Sequence, residues 1–366
     1  MKNSELIFIP SPGIGHLVSA LEFAKRVIDY DSRISFTILC IKFPFTAFSN
    51  SYIKSVLASQ PRIRLIDLPE VDPPPPEPLK PPVYLIYVFT ERLIPHKRQI
   101  DDEFKDSGPE LLIPGFSNLV PPKYAIDDIL KDEKVPPIYT VGPLIELKGQ
   151  PNSNLDQAQH VKTMKWLDDQ PPSSVVFLCF GSMGILSPSQ TRELAEGLKN
   201  SGVRFLWAMR SPPTKDHADR TLTEGFLEST HDNGMICGWA PQVGVLAHKS
   251  IVGFVSHCGW NSIMESLWFG VPILRWPIYA EQQLNAFRMV REFGLAVELI
   301  LDYRSDGDLV LADEIERGIT QLTDRDSEVR KKVQEMKEKA RKAVSSGGSS
   351  FISTGRLIED IIDRNI

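Results

Sequence analysis

Apolar positions recur along this chain in two rhythms, short runs and helical spacing. Near the start, Leu6 to Ile9 form a short apolar run and Gly13 and Gly15 mark a turn. An amphipathic pattern from His16 to Tyr30 then predicts a helix. Ile34–Cys40 and Arg62–Leu68 read as further strands. A β-turn-α-β opening implies a parallel sheet, because parallel neighbours need a crossover connection. The second half alternates more clearly. Strands are predicted at Val175–Phe180, Arg204–Met209, Met235–Cys237, Ile251–Val255, Val271–Leu274 and Leu295–Leu299. Helices are predicted between them at Ser189–Asn200, Gln242–Ala247, Ser262–Phe269 and Gln282–Phe293. Val175 to Phe180 is apolar throughout, as expected of a strand covered on both faces. Asp313–Leu322, Ser327–Val344 and Ser350–Ile362 are predicted to form an all-helical tail.

Proline changes the picture between the two halves. Many of the 29 prolines fall in one tract, Pro69, Pro73 to Pro76, Pro78, Pro81 and Pro82, and in a second series from Pro109 to Pro143. Proline lacks the amide donor a ladder needs, so residues 70–160 read as loops, short helices and a linker. The fold class is therefore α/β, with two doubly wound domains joined near Val141–Gln159. A length of 366 residues suits two domains. Hydrophobic residues at 42% and charged residues at 24% exclude disordered, collagen-like and coiled-coil chains. No apolar run is long enough to span a bilayer, and the N-terminal apolar stretch is too short for a signal peptide. A net charge of −6 without a clustered basic tract gives no footprint for nucleic acid or an anionic membrane. The four cysteines, Cys40, Cys179, Cys237 and Cys258, form no CxxC pair, which fits a reduced, cytoplasmic chain.

Ligands of doubly wound sheets bind beyond the carboxyl ends of the strands, where helix N-termini aim free amides at anions. Two loops suit that role: Phe180-Gly181-Ser182-Met183-Gly184, and Ser256-His257-Cys258-Gly259-Trp260-Asn261-Ser262. Gly259 allows close backbone approach, and Asn261 and Ser262 can cap the following helix. Two small-residue loops of this kind suggest a diphosphate. Three Asp-x-Asp triplets, at 29–31, 306–308 and 324–326, are read as caps and turns rather than metal ligands.

The longer pattern is more specific. Trp239-Ala240-Pro241-Gln242, Leu246, His248, Phe254, His257 through Ser262, Glu265, Gly270-Val271-Pro272, Pro277 and Glu281-Gln282 span 44 residues. This box resembles the signature of plant family 1 UDP-sugar-dependent glycosyltransferases, and Pro10 through His16 resembles that family's opening motif. The resemblance implies a GT-B fold, two Rossmann-like domains facing a crevice. Residues 1–145 would bind the acceptor, 146–349 would bind the UDP-sugar, and a helix at 350–366 would pack back on the first domain. Trp239, followed by Ala240, would stack on the uracil, since base stacking is worth about 1–3 kcal/mol. Four other tryptophans, Trp166, Trp207, Trp268 and Trp276, read as core aromatics. Gln242 and Glu265 would hold the ribose hydroxyls. Ser182, His257, Gly259, Asn261, Ser262 and the amide of Trp260 would surround the diphosphate, and Glu281 and Gln282 would hold the sugar, with glucose implied by Gln282. No cofactor or metal is expected. The partners are UDP-glucose and a hydrophobic acceptor such as a flavonoid, phenolic or triterpene, met by a monomer.

The resemblance also assigns inverting transfer, with His16 as the general base that deprotonates the acceptor hydroxyl. Here the chain departs from the pattern. Its first domain, about 145 residues, is short for the family, and no apolar strand ending in Asp occurs between 97 and 140. That Asp would orient His16 and stabilise its imidazolium. Asp101 and Asp102 stand in a polar stretch that reads as a solvated helix face. The sequence therefore reads as a family member with an internally shortened acceptor domain. Two functions stand open: an active glucosyltransferase, or an impaired UDP-sugar-binding form whose turnover is far below that of its relatives.

Overall fold

The structure is a computed structural model that describes residues 4–10, 14–40, 50–68, 139–147, 157–182, 184–209, 222, 226, 230, 232–278, 281–299 and 309–364. The chain divides into two compact units. One takes the described residues up to 68, with 139–147 and the chain from 340 onward; the other takes 157–339.

In the first unit, β1 (Ser4–Phe8), β2 (Ile34–Cys40) and β3 (Ile63–Asp67) form a parallel sheet in the order β1-β2-β3. The crossovers are α1 (Ile14–Tyr30) and α2 (Asn50–Ser59). Leu17, Leu21, Ala24 and Ile28 recur at helical spacing along α1 and are buried against Phe36 and Ile38 of β2 and Ile63 of β3. The C-terminal helix α10 (Ser349–Arg364) completes this core through Ile358, and its Phe351 ring lies 5.1 Å from that of Tyr30. Arg26 ties the 139–147 segment of the same unit to α1, donating to the carbonyls of Val141 and Pro143. The opposite face of the sheet is more open. Ile7 and Ile9 are each more than half exposed, and across the three strands Glu5 accepts from Thr37 and Arg64.

The second unit opens with α3 (Gln157–Asp168) and contains β4 (Val175–Cys179), α4 (Pro188–Ser201), β5 (Arg204–Ala208), β6 (Gly234–Cys237), α5 (Gln242–Leu246) and β7 (Ile251–Ser256). It continues with α6 (Trp260–Phe269), β8 (Ile273–Arg275), α7 (Gln282–Phe287), β9 (Ala296–Val297), α8 (Ala312–Thr323) and α9 (Glu328–Val344), within which the division at 340 falls. The strands are all parallel and order β6-β5-β4-β7-β8-β9, the arrangement of a doubly wound nucleotide-binding sheet. Central β4 sends Val175 and Phe177 into one apolar cluster and Val176 and Leu178 into the other. Both faces are thus covered, which is why its sequence does not alternate. The rings of Phe177 and Phe254 stack across β4 and β7 at 5.1 Å.

The departures from expectation include three elements. The strand expected at 271–274 begins instead at Ile273: Pro272 has no amide to give, and its carbonyl accepts from Phe254. The helix expected over 282–293 is α-helical only to Phe287 and then becomes a π turn, Arg288–Glu292. There Phe293 N–H reaches back five residues to Arg288, and Gly294, at φ 62°, ends the turn. Helix α3 begins inside the stretch read as linker.

Truncating Ile358 tests how far α10 supports the first unit. Ile358→Ala, at a site 2% exposed, should cost about 2–5 kcal/mol of that unit's stability. Hydrogen exchange should show lost protection in β2 and undiminished protection in β4 and β7.

Candidate functional site

Strand β4 lies beside β7 at the centre of the six-stranded sheet, where the strand order reverses. The loops leaving their carboxyl ends diverge there and leave room for a ligand. After β4 the chain turns at Gly181, whose φ of 78° suits glycine. After β7 come His257, Cys258 and Gly259. The imidazole of His257 fills the gap between the two loops. A Cβ placed on either Gly181 or Gly259 would lie 2.5 Å from its Nε2, so neither position tolerates a side chain. Burial pushes the His257 pKa down to about 4, and the Cys179 backbone opposes that only in part. The ring is therefore neutral at physiological pH.

Cys258 carries the bend. Its φ is 62°, uncommon for a residue with a side chain, and it is fully buried. Its amide donates to Ser256 Oγ at 3.2 Å, and its carbonyl accepts from Asn285 Nδ2 at 3.1 Å. Burial raises its thiol pKa to about 12, so it is no nucleophile.

Helix α6 follows directly. Its N-cap is Gly259, and no side chain caps it, which corrects the expectation that Asn261 and Ser262 serve as caps. Both sit within the first turn, Asn261 half-buried and Ser262 buried. Helical amides at such a terminus have no intrahelical acceptor and carry partial positive charge.

Beside this turn, three of the predicted residues are bonded together. Gln242, the first residue of α5, donates through Nε2 to Ser262 Oγ at 2.9 Å and to Glu265 Oε2 at 2.7 Å. Trp239 is half-buried in the loop between β6 and α5, with Ala240 buried next to it. Ser182 is exposed after β4, and Trp260 is exposed at the start of α6. Glu281 is exposed at the N-cap of α7. Gln282 is buried, and its Oε1 accepts from the Ile278 amide at 3.0 Å.

His16 belongs to the first unit, exposed in the first turn of α1. Asp101 and Asp102 lie outside the described residues. Sequence reasoning missed Asn285. It follows Glu281 by one helical turn and carries no signal beyond being polar on a half-buried helix.

Other polar groupings have structural uses. His248 lies 2.8 Å from Ser250 Oγ and 3.1 Å from Asp168, but Ser250 is fully buried before the start of β7, away from the carboxyl ends. Of the Asp-x-Asp triplets, Asp31 binds Arg33 and Asp324 accepts from the amide of Asp326, while 306–308 lies outside the described residues. Among the described residues no group of three or more His, Cys, Asp or Glu is arranged to hold a metal ion. No helix among them is long and apolar enough to cross a membrane.

Two outcomes test the wedge. Gly181→Ala forces both a left-handed alanine and a clash with the ring, and should lower stability by about 1–3 kcal/mol and shift the His257 imidazole resonances. The second is pH dependence. Between 6.5, the ordinary histidine value, and about 4, the unfolded chain binds a proton that the folded chain refuses. Stability therefore falls as pH drops through that window, by about 3 kcal/mol in total from this one group. Subtracting the curve for His257→Gln, which cannot titrate, should isolate this slope in urea titrations.

The sequence profile of the family described as UDP-glucoronosyl and UDP-glucosyl transferase matches residues 146–316. The chain is 43% identical to UDP-glycosyltransferase 71K2 of Pyrus communis, covering all of this chain and 99% of the relative. It is 38% identical to the flavonol 3-O-glucosyltransferase UGT71C4 of Arabidopsis thaliana, with 99% of each covered. The crystal structure of Medicago truncatula UGT71G1 complexed with UDP-glucose superposes with a TM-score of 0.88 at 50% identity, covering 98% of each chain. The alignment with the pear protein runs over 477 positions. This chain has 366 residues, so 111 of those positions hold none of its residues, and because both ends align the shortfall is internal. The chain belongs to the plant family 1 UDP-glycosyltransferases and has their GT-B fold.

Proposed function

We propose that this glycosyltransferase moves glucose from UDP-glucose to a hydroxyl of a hydrophobic small molecule, with inversion. The observation that carries the donor half is the bonded Gln242–Ser262–Glu265 cluster beside a helix terminus without a side-chain cap. The carboxylate and amide meet the ribose hydroxyls. The turn around Gly259, with His257, Asn261, Ser262 and Ser182, donates to the diphosphate, and Trp239 stacks on the uracil. Glu281 accepts from sugar hydroxyls, joined by Gln282. The structure of UGT71G1 with UDP-glucose supports this donor, and the flavonol activity named for UGT71C4 supports a flavonoid or related phenolic acceptor.

In the reaction, the acceptor oxygen forms a bond to the anomeric carbon while the bond from that carbon to the β-phosphate oxygen breaks. The electron pair leaves with UDP, and the acceptor proton passes to His16. Negative charge grows on the departing diphosphate, where neutral donors and the α6 terminus stabilise it without net charge of their own. The protein would work as a monomer in the cytoplasm, without a resident metal.

A second reading rests on the 111 alignment positions without a counterpart here. If they include the carboxylate that orients His16, the chain binds UDP-glucose yet transfers it poorly, since loss of an orienting Asp in a comparable triad costs about 10⁴ in rate.

Single-turnover transfer from labelled UDP-glucose to a phenolic panel separates the readings. For an active enzyme, His16→Ala should cost about 10²–10⁴ in rate. A smaller loss from an already slow chain, with UDP still bound, selects the impaired form. Calorimetry supplies the control: Trp239→Ala should weaken UDP by about 1–3 kcal/mol, whereas Glu281→Ala should weaken UDP-glucose and spare UDP. Equal UDP affinity for the wild type and Trp239→Ala would remove Trp239 from the site.

A further inference from the structure

We propose that Asn285 is a positioning residue that holds the diphosphate-binding turn in its working shape. The inference rests on the donor-site reading above and extends it to a residue to which that reading gives no ligand contact. Cys258 is held at φ 62°, a conformation that a residue with a side chain keeps only when its surroundings fix it. Its amide and thiol both turn back onto Ser256. Those contacts fix the side of the bend toward β7. On the side toward α6, the Cys258 carbonyl accepts from Asn285 Nδ2 at 3.1 Å. That carbonyl belongs to the same peptide as the Gly259 amide. Fixing its oxygen therefore sets the direction of the Gly259 N–H and the entry of the chain into α6.

Asn285 is itself placed by α7, where its amide donates to the Glu281 carbonyl at 2.9 Å. One helical turn thus carries the residue assigned to the sugar and the residue that grips the diphosphate turn. The bond sets the spacing between the two parts of the donor site. An apolar residue in its place would fill space but leave the Cys258 peptide able to rotate. An Asp would put a carboxylate oxygen against a carbonyl oxygen.

The test compares UDP with uridine, which shares the base and ribose but has no diphosphate, by calorimetry on the full chain. Asn285→Ala and the same-sized Asn285→Asp should each weaken UDP about tenfold, the scale of one lost hydrogen bond, and leave uridine affinity unchanged. Asn285→Asp should be the weaker of the two for UDP. Unchanged UDP affinity in both variants, or equal losses for UDP and uridine, would overturn the positioning role. Trp239→Ala serves as the reference: it should weaken both ligands alike. If it weakens neither, the donor-site reading fails, separately from Asn285.

Discussion

The His257 imidazole, set where the loops after β4 and β7 part, is the contact around which the second unit's functional end is arranged. It fits because Gly181 and Gly259 have no side chains to exclude it, and it stays neutral because the same packing removes water from it. The sequence order of the strands makes the gap, since a reversal of strand order sends the two following loops apart. Glycine on both loops is then required to let the ring close it.

Much of this was legible beforehand. The strands were readable because β4 and β7 are buried on both faces, so their apolar runs stand out without help from alternation. The two loops were readable because glycine and small polar residues cluster at their ends. The internal roles within the second loop were less so. Asn261 and Ser262 have good capping chemistry, but Gly259 occupies the cap position, since the chain enters α6 from the bend at Cys258. The π turn was illegible because Arg288–Glu292 keeps an ordinary helical pattern, and only the pairing of Phe293 with Arg288 reveals the extra residue. Helix α3 was hidden by the proline-rich stretch before it.

The first unit shows what chain pattern alone does not decide. Its sheet and the inward face of α1 follow from spacing, yet α10 comes from the far end of the chain to supply Ile358 to the same core. Amphipathicity in α10 announces that one face must be buried but not against what. The exposure of Ile7 and Ile9 is of the same kind: strand periodicity assigns them to the second face of the sheet, and nothing local says how much cover that face receives.

Where the missing alignment positions bear on function follows from where the bonds lie. The side-chain hydrogen bonds invoked for the donor site join residues between 242 and 285, and the packing of the His257 ring adds Cys179 and Gly181. All of them fall inside the segment that matches the family profile, 146–316. The residues proposed for the donor site therefore lie in one compact unit built on a six-stranded parallel sheet. A general base has a different requirement. Its rate contribution depends on orientation and on a partner for the developing imidazolium, and His16, the residue proposed for that role, belongs to the other unit. On the proposed roles, loss of catalytic rate with retained donor affinity is the expected pattern, because His16 and the donor-site residues belong to different units.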